Sequence, residues 1–294
     1  IKKSPEPVLE ITDIAAYNSK EGLALNEEEI KYLEDLSKKL GRPLTDGELF
    51  GFSQVNSEHC RHKIFNGTFI IDGREMDSSL FKLIKKTSAE NPNKIVSAYK
   101  DNCAFIEGPK IDMFYPASGN KPDFFKTKQE ETVISLKAET HNFPTTVEPF
   151  NGAATGSGGE IRDRIAGGRG SFPVAGTAVY MTSYPRFGQG EEPEYEDIEI
   201  DREWELTPER DWLYQTPLEI LIKASNGASD FGNKFGQALI AGSLLTLEHT
   251  ENYKEFGYDK VIMMAGGVGF AKKEYSLKNK PEPGDKIVLL GGDN

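Results

Sequence analysis

Apolar residues recur at helical spacing early in the chain and at strand spacing later. In "NEEEIKYLEDLSKKLGRP", Ile30, Leu33, Leu36 and Leu40 form one helical stripe. Asn26 is placed to cap that helix, with Glu29 completing a capping-box pair. Gly41 and Pro43 stop it. Thr45 starts a second helix with Glu48 at the box position, carrying Leu49, Phe50, Phe52 and Val55 towards "NSEHCRHK". The two form a small helical module over roughly 26–62, behind an irregular lead-in at 1–25.

From about residue 64 the period shortens. "KIFNGTFIIDG", "KIVSAYKDNCAFIEG", "IDMFYPA", "TVISLKAE", "AGTAVYMTSY" and "DKVIMMAGGVGFA" predict strands. "SSLFKLIKKTS" predicts a helix, and "PLEILIKASNGASDFGNKFGQALIAGSLLTLEHT" contains at least one more. The fold class is mixed α/β. "GQGEEPEYEDIEIDREWELTPERD" is a charge-rich insertion, expected as a solvated excursion.

Composition narrows the partners. Among 294 residues, 35 Lys and Arg face 47 Asp and Glu, a net charge of −12. Such a chain is a poor general binder of nucleic acid or acidic membranes, so anion binding has to be local. The longest apolar runs fall far short of the ~20 residues of a membrane span. Two cysteines, Cys60 and Cys103, give no disulfide framework, and nothing at the start reads as a secretory signal, so the expected location is cytoplasmic. The first residue is not Met and the last run is strand-like, which predicts a piece of a longer chain.

Candidate chemistry gathers between Lys137 and Asp163. Strand alternation puts Lys137 and Glu139 on one face of "TVISLKAETHN" and Ile134, Leu136 and Ala138 on the other. If the chain stays extended, His141 joins the charged face. An ammonium, a carboxylate and an imidazole in a row suit a phosphate with a divalent ion. A solvated strand with an i,i+2 ion pair accounts for the same residues. Next comes "NGAATGSGGEIRD", whose glycines permit positive φ and close approach of backbone N–H groups to an anion. Arg162 can fork onto a phosphate and Asp163 can hold a cation. A glycine-rich hairpin is the plainer alternative, and it weakens because chemistry sits at both ends of the run. Neither G-x-x-x-x-G-K-[ST] nor a strand-borne G-x-G-x-x-G is present. "SEHCRHK" places His59 and His62 around Cys60, without the further ligands a zinc site needs. It is either a polar helix end that delivers His59 to a site or a capped, solvated terminus.

Three stretches, "QVNSEHCRHKIFNG", "KAETHNFPTTVEPFNGAATGSGGEIRD" and "SNGASDFGNKFGQ", together resemble the large single-chain phosphoribosylformylglycinamidine synthases, or FGAR amidotransferases. The resemblance runs from about Asn26 to the C-terminus. It implies the fourth step of purine biosynthesis: ATP activates the amide oxygen of formylglycinamide ribonucleotide, and ammonia from a glutaminase displaces phosphate to give the amidine. It implies residues 1–63 as a helical linker with its lead-in and residues 64–283 as an aminoimidazole-ribonucleotide-synthetase-like domain. Residues 284–294 would begin a following α/β domain. The synthetase-like sheet would be mixed or antiparallel and would pair into a barrel. The cofactors implied are ATP and Mg²⁺.

The roles implied are these. His59 and His141 are catalytic, His141 as proton acceptor. ATP contacts are Lys137, His62 and the run Gly152, Ala153, Ala154, Thr155, Gly156, Ser157, Gly158, Gly159, Glu160, Ile161, Arg162 and Asp163. Substrate contacts are Thr140, His141, Asn142, Arg162 and Gln237, with Asn233 a weaker candidate. Metal ligands are Glu139 and Asp163. The glutaminase and the second synthetase half of the parent enzyme have no counterpart in these residues, so a chain of this kind is expected to be inactive alone and to self-associate through its apolar sheet face. Related ATP-dependent enzymes, such as selenophosphate synthetase or thiamine-phosphate kinase, and a non-catalytic nucleotide-binding module are the alternatives.

Overall fold

The computed structural model describes residues 7–56, 62–186, 210–286 and 288–291. It divides into two compact units, residues 1–91 with 286–294, and residues 92–285.

The first unit is built on local signals. β1 (Glu10–Ile11) pairs antiparallel with β2 (Leu44–Thr45). Helix α1 (Ile14–Glu21) lies within the stretch expected to be irregular. Asp13 caps it by accepting from the Ala16 N–H, and Gly22 ends it with φ 65°. Helix α2 (Glu27–Leu40) carries the expected capping box. The Asn26 side chain accepts from Glu29 N and the Glu29 carboxylate accepts from Asn26 N, each at 2.9 Å. Helix α3 (Asp46–Val55) repeats the device with Thr45 and Glu48. Ile14, Leu23, Leu25, Leu33, Leu44 and Leu49 form the core. Of the α2 stripe, Leu33 is buried and Leu40 is exposed.

"KIFNGTFIIDG" is not one strand. Its start folds as α4 (His62–Asn66), and only Ile70–Ile71 (β3) extends, pairing with Arg74–Glu75 (β4). Asp72 and Gly73, at φ 51° and 76°, make the turn between them a primed type that fits two short strands. Ser79 caps α5 (Leu80–Glu90), where a helix was expected.

The second unit is a six-stranded mixed sheet with helices on one face. Its strands are β5 (Ile95–Ser97), β6 (Ala104–Pro116), β7 (Phe125–Thr140), β8 (Phe172–Thr182), β9 (Ala238–Thr246) and β12 (Ile262–Lys272). A separate hairpin, β10 (Glu248–Glu251) with β11 (Lys254–Gly257), precedes β12. The sheet order is β5-β6-β7-β12-β8-β9, antiparallel throughout except for the parallel β8–β9 pair. The helices are α6 (Asn142–Val147), α7 (Pro149–Ala166) and α8 (Pro217–Lys234). Ala153 of α7 and Ala224 and Ala228 of α8 pack on Ala178, Tyr180, Met263 and Ala265 of the sheet.

Register divides the sheet into two faces. Val133, Ser135, Lys137 and Glu139 point towards the helices. Ile134, Leu136 and Ala138 share the opposite face with Met264, Gly266, Val268 and Phe270 of β12. Ile134, Leu136, Met264 and Phe270 are half-buried there, and Ala138 and Val268 are exposed. The charged face of the central strand is therefore the covered one, and the apolar face is open. No helix among the described residues is long and apolar enough to cross a membrane.

The glycine run folds as helix, not as hairpin or anion-cradling loop. Residues 152–163 lie inside α7, so their N–H groups are committed to helical hydrogen bonds rather than free for an anion. Four glycines cost such a helix on the order of 1 kcal/mol each relative to alanine. Close packing explains them. A Cβ on Gly152 would sit 2.5 Å from Thr145 N and 2.6 Å from the Pro144 carbonyl carbon. On α8, a Cβ on Gly227 would collide with the Phe150 carbonyl. The glycines let backbones approach where a side chain would hold them apart, and tertiary packing then overrides their poor helix propensity.

Candidate functional site

The site is a polar seam where α7 runs beside the end of β7. Helix positions 156, 159 and 163 fall on one stripe at i, i+3 and i+7. Each faces one member of the strand row. A Cβ on Gly156 would lie 3.0 Å from His141 Cβ, and one on Gly159 would lie 3.2 Å from Glu139 Cγ. Asp163 Oδ2 meets Lys137 Nζ at 2.8 Å. Two glycines make room for the imidazole and the carboxylate, and an acid meets the ammonium.

Lys137 joins the acids. Its Nζ also lies 3.5 Å from Glu139 Oε2, and all three side chains keep between 20% and 29% exposure. Burial would depress the ammonium, but hydrogen bonding and charge from Asp163 and Glu139 outweigh it and hold the Lys137 pKa above its ordinary value. His141 moves the other way. Burial lowers its pKa and Arg162 adds to this, against the pull of Glu139. Its imidazole is thus neutral near pH 7 and able to accept a proton.

The turn after β7 is pinned by its own residues. His141 N donates to Met263 O at 2.9 Å, and Met263 N donates to Asn142 Oδ1 at 3.0 Å. Thr145 and Thr146 hydroxyls donate to the carbonyls of His141 and Asn142. Asn142 thereby spends its side-chain oxygen on β12. Thr140 is exposed on the opposite, open face of the strand. Arg162 is exposed, lies over the Phe231 ring at 5.6 Å, and has no ion-pair partner among the described residues. It is the exposed cation of the seam, close enough to His141 to lower its pKa.

The rest of the run is divided by burial. Gly152, Ala153, Gly156, Ser157, Gly158, Glu160 and Ile161 are buried, while Thr155 is exposed and Ala154, Gly159 and Asp163 are half-exposed. Gln237 is 3% exposed and both ends of its amide are engaged, the nitrogen with Glu160 and the oxygen with Arg164. Asn233 is exposed near the end of α8. In the first unit, His62 opens α4, exposed and edge-on to Phe81 at 5.2 Å between ring centroids. His59 and Cys60 lie outside the described residues.

Arg164 has no role in the sequence reading, and Glu160 stands there as an ATP contact, not as half of a buried ion pair. Both are buried, at 0% and 1% side-chain exposure, and pair at 2.6 Å within α7. Arg164 also donates to Gln237, and its Nη1 has no partner among the described residues. Burial raises the Glu160 pKa despite the hydrogen bond from Gln237 and the charge of Arg164. The i,i+4 spacing of Glu160 and Arg164 carries the signal, and it shows only once the run is read as helix.

The chain is similar to several known proteins. Thermotoga maritima PurL complexed with ATP is 22% identical, covering 83% of this chain and 27% of that one, at a TM-score of 0.39. PurL complexed with FGAR, from the same organism, is also 22% identical over 83% of this chain and 26% of that one, TM-score 0.38. The T. maritima PurLQS structure is 21% identical over 83% and 26%, TM-score 0.36. The chain thus spans about a quarter of the length of each matched chain. Residues 14–63 match the family model of the formylglycinamide ribonucleotide amidotransferase linker domain. This match covers α1, α2 and α3, together with the "SEHCRHK" stretch. Residues 14–63 are therefore similar to the linker domain of the formylglycinamide ribonucleotide amidotransferase family.

Proposed function

We propose that this chain is part of an ATP-dependent ligase that converts formylglycinamide ribonucleotide to the formylglycinamidine. Ammonia would come from glutamine through a glutaminase carried elsewhere in the parent enzyme. The reading is supported by the linker match at residues 14–63 and carried by one geometric observation. Lys137, Glu139 and His141 line a single seam against Asp163 and Arg162. In this proposal residues 1–63 are the linker, 64–283 the synthetase-type domain, and 284–294 the start of another.

Glu139 and Asp163 fit a magnesium ion. They reach one cation from neighbouring elements and keep partial exposure. Among the described residues no group of three or more His, Cys, Asp or Glu gathers to hold a metal. A pair of carboxylates suits Mg²⁺, which commonly takes one or two and completes its shell with phosphate and water. When bound, ATP would supply the phosphoryl group for the substrate amide oxygen, leaving as ADP, and Mg²⁺ would offset charge on the phosphate oxygens. The chain's residues do the rest. Lys137 and Arg162 offset phosphate charge, and neutral His141 takes a proton from the attacking ammonia. His141 would remain neutral to lower pH than a free imidazole does, because its pKa is depressed. The open apolar face of the sheet would meet a second sheet, from the other synthetase half or from another copy.

Calorimetric titration with formylglycinamide ribonucleotide tests the assignment. Binding is expected, and its loss is expected in His141→Ala and in Arg162→Ala. If the chain binds ADP but never the ribonucleotide, the proposed substrate seam fails and a nucleotide-binding module takes its place.

A further inference from the structure

The Lys137 ammonium sits where a divalent cation would have to go. It lies 2.8 Å from Asp163 and 3.5 Å from Glu139, one positive charge between two negative ones. A divalent ion on the same oxygens would stand within a few ångströms of that ammonium. At such separations like charges repel strongly, even at an effective dielectric of about 20. The ammonium therefore has to leave before the ion can settle. Its stem is anchored on β7, and the side chain keeps 20% exposure, so it is not sealed in place. Leaving two carboxylates for water is unfavourable, and a polyanion arriving at the seam removes that obstacle by offering the ammonium new oxygens.

We infer that Lys137 is a resident competitor for the metal position, so that divalent cation and polyphosphate bind to this seam as a linked pair. Each binds more weakly without the other. A positioning lysine that only bound phosphate would leave metal affinity untouched. The inference rests on the metal assignment to Glu139 and Asp163 made above. It adds an order to that site: the two acids stay occupied and neutralised until nucleotide draws the lysine away. Linkage makes the coupling reciprocal, so the metal must also raise polyphosphate affinity by the same factor.

Electron paramagnetic resonance of free Mn²⁺ tests this on the whole chain, with and without a non-hydrolysable ATP analogue. In the wild type, Mn²⁺ alone should bind weakly, and the analogue should tighten it. Lys137→Met should bind Mn²⁺ alone at least about tenfold tighter, a lower bound for one charge pair at this distance near a protein surface. It should also lose most of the gain the analogue gives. Lys137→Arg, which keeps the charge, should stay near wild type. Unchanged or weaker Mn²⁺ binding in Lys137→Met overturns the inference. So does wild-type Mn²⁺ affinity that ignores the analogue, a result that needs no variant to fold. The metal assignment itself then stands if Glu139→Gln and Asp163→Asn still abolish Mn²⁺ binding. Absence of Mn²⁺ binding under every condition overturns both.

Discussion

Helices α2 and α7 do opposite things with similar length. α2 has 14 residues, a reciprocal capping box, acids in its first turn and lysines in its last. Each feature acts within a few residues of itself, so the sequence states it directly. α7 has 18 residues, four of them glycine, and no side-chain cap at its start. Its buried positions include Gly152, Ala153, Gly156, Ser157, Gly158, Glu160 and Arg164. No amphipathic stripe of large apolar residues announces it. α2 is held by what it contains, and α7 by what surrounds it. The seam chemistry lies on the second kind of helix, where bare backbone brings helix and strand residues together.

The strongest way to break this contrast is at Arg164. With 0% exposure it pairs with buried Glu160 and contacts Gln237. Arg164→Met would leave the Glu160 carboxylate buried without its cation, a loss of about 3–5 kcal/mol for a broken buried pair. Urea unfolding of the second unit measures it. Adding Glu160→Gln to Arg164→Met should recover much of the loss, because no uncompensated charge remains. A single variant within about 0.5 kcal/mol of wild type, the usual range for surface changes, would show that the pair carries nothing.

A smaller effect is expected at the glycines. Gly152→Ala and Gly227→Ala each place a methyl group against backbone atoms of a neighbouring segment. Backbone cannot turn aside as a side chain can, so α6, α7 and α8 must separate. Alanine gains up to about 1 kcal/mol of helix propensity at each position, and overpacking costs about 1–3 kcal/mol. The net is a loss, visible as faster hydrogen exchange in α7 and α8. Slower exchange would mean these glycines are there by accident.

What the sequence made legible follows the same division. Asn26 with Glu29 and Thr45 with Glu48 are contacts between neighbours, and both boxes form as expected. The alternation of Lys137 and Glu139 with Ile134, Leu136 and Ala138 also holds, because pleating is local. Alternation could not say which face is covered, and that depends on where α7 lies. The glycine run looked like a turn because glycine is common there. Its helical state is decided by atoms of Pro144, Thr145 and Glu139 that approach through the fold. Helix α1 escaped notice because Ile14 is its only buried residue and it offers no stripe. The β10–β11 hairpin turns on Asn252 and Tyr253, at φ 51° and 62°, where a glycine would have given the usual signal. Gln237 was a candidate for substrate contact on its position in a motif. Its burial against Glu160 and Arg164 is a long-range fact, separated by more than 70 residues.

The smallest expected effect has the opposite sign, and it is the sharpest test of the contrast. Gly51 and Gly47 lie in α3, and a Cβ at either position meets nothing within 4 Å. Neither needs positive φ, so alanine fits the existing backbone. Such glycines only add freedom to the unfolded chain and weaken the helix. Gly51→Ala should therefore stabilise the first unit by about 0.5–1 kcal/mol. Hydrogen exchange across α3 should slow by the corresponding few-fold, with α7 unchanged. The same substitution then strengthens one helix and loosens the other, although the residue and its secondary structure are identical. If Gly51→Ala instead loosens α3, a neighbour outside the described contacts is pressing on it, and the first unit would depend on its surroundings much as α7 does.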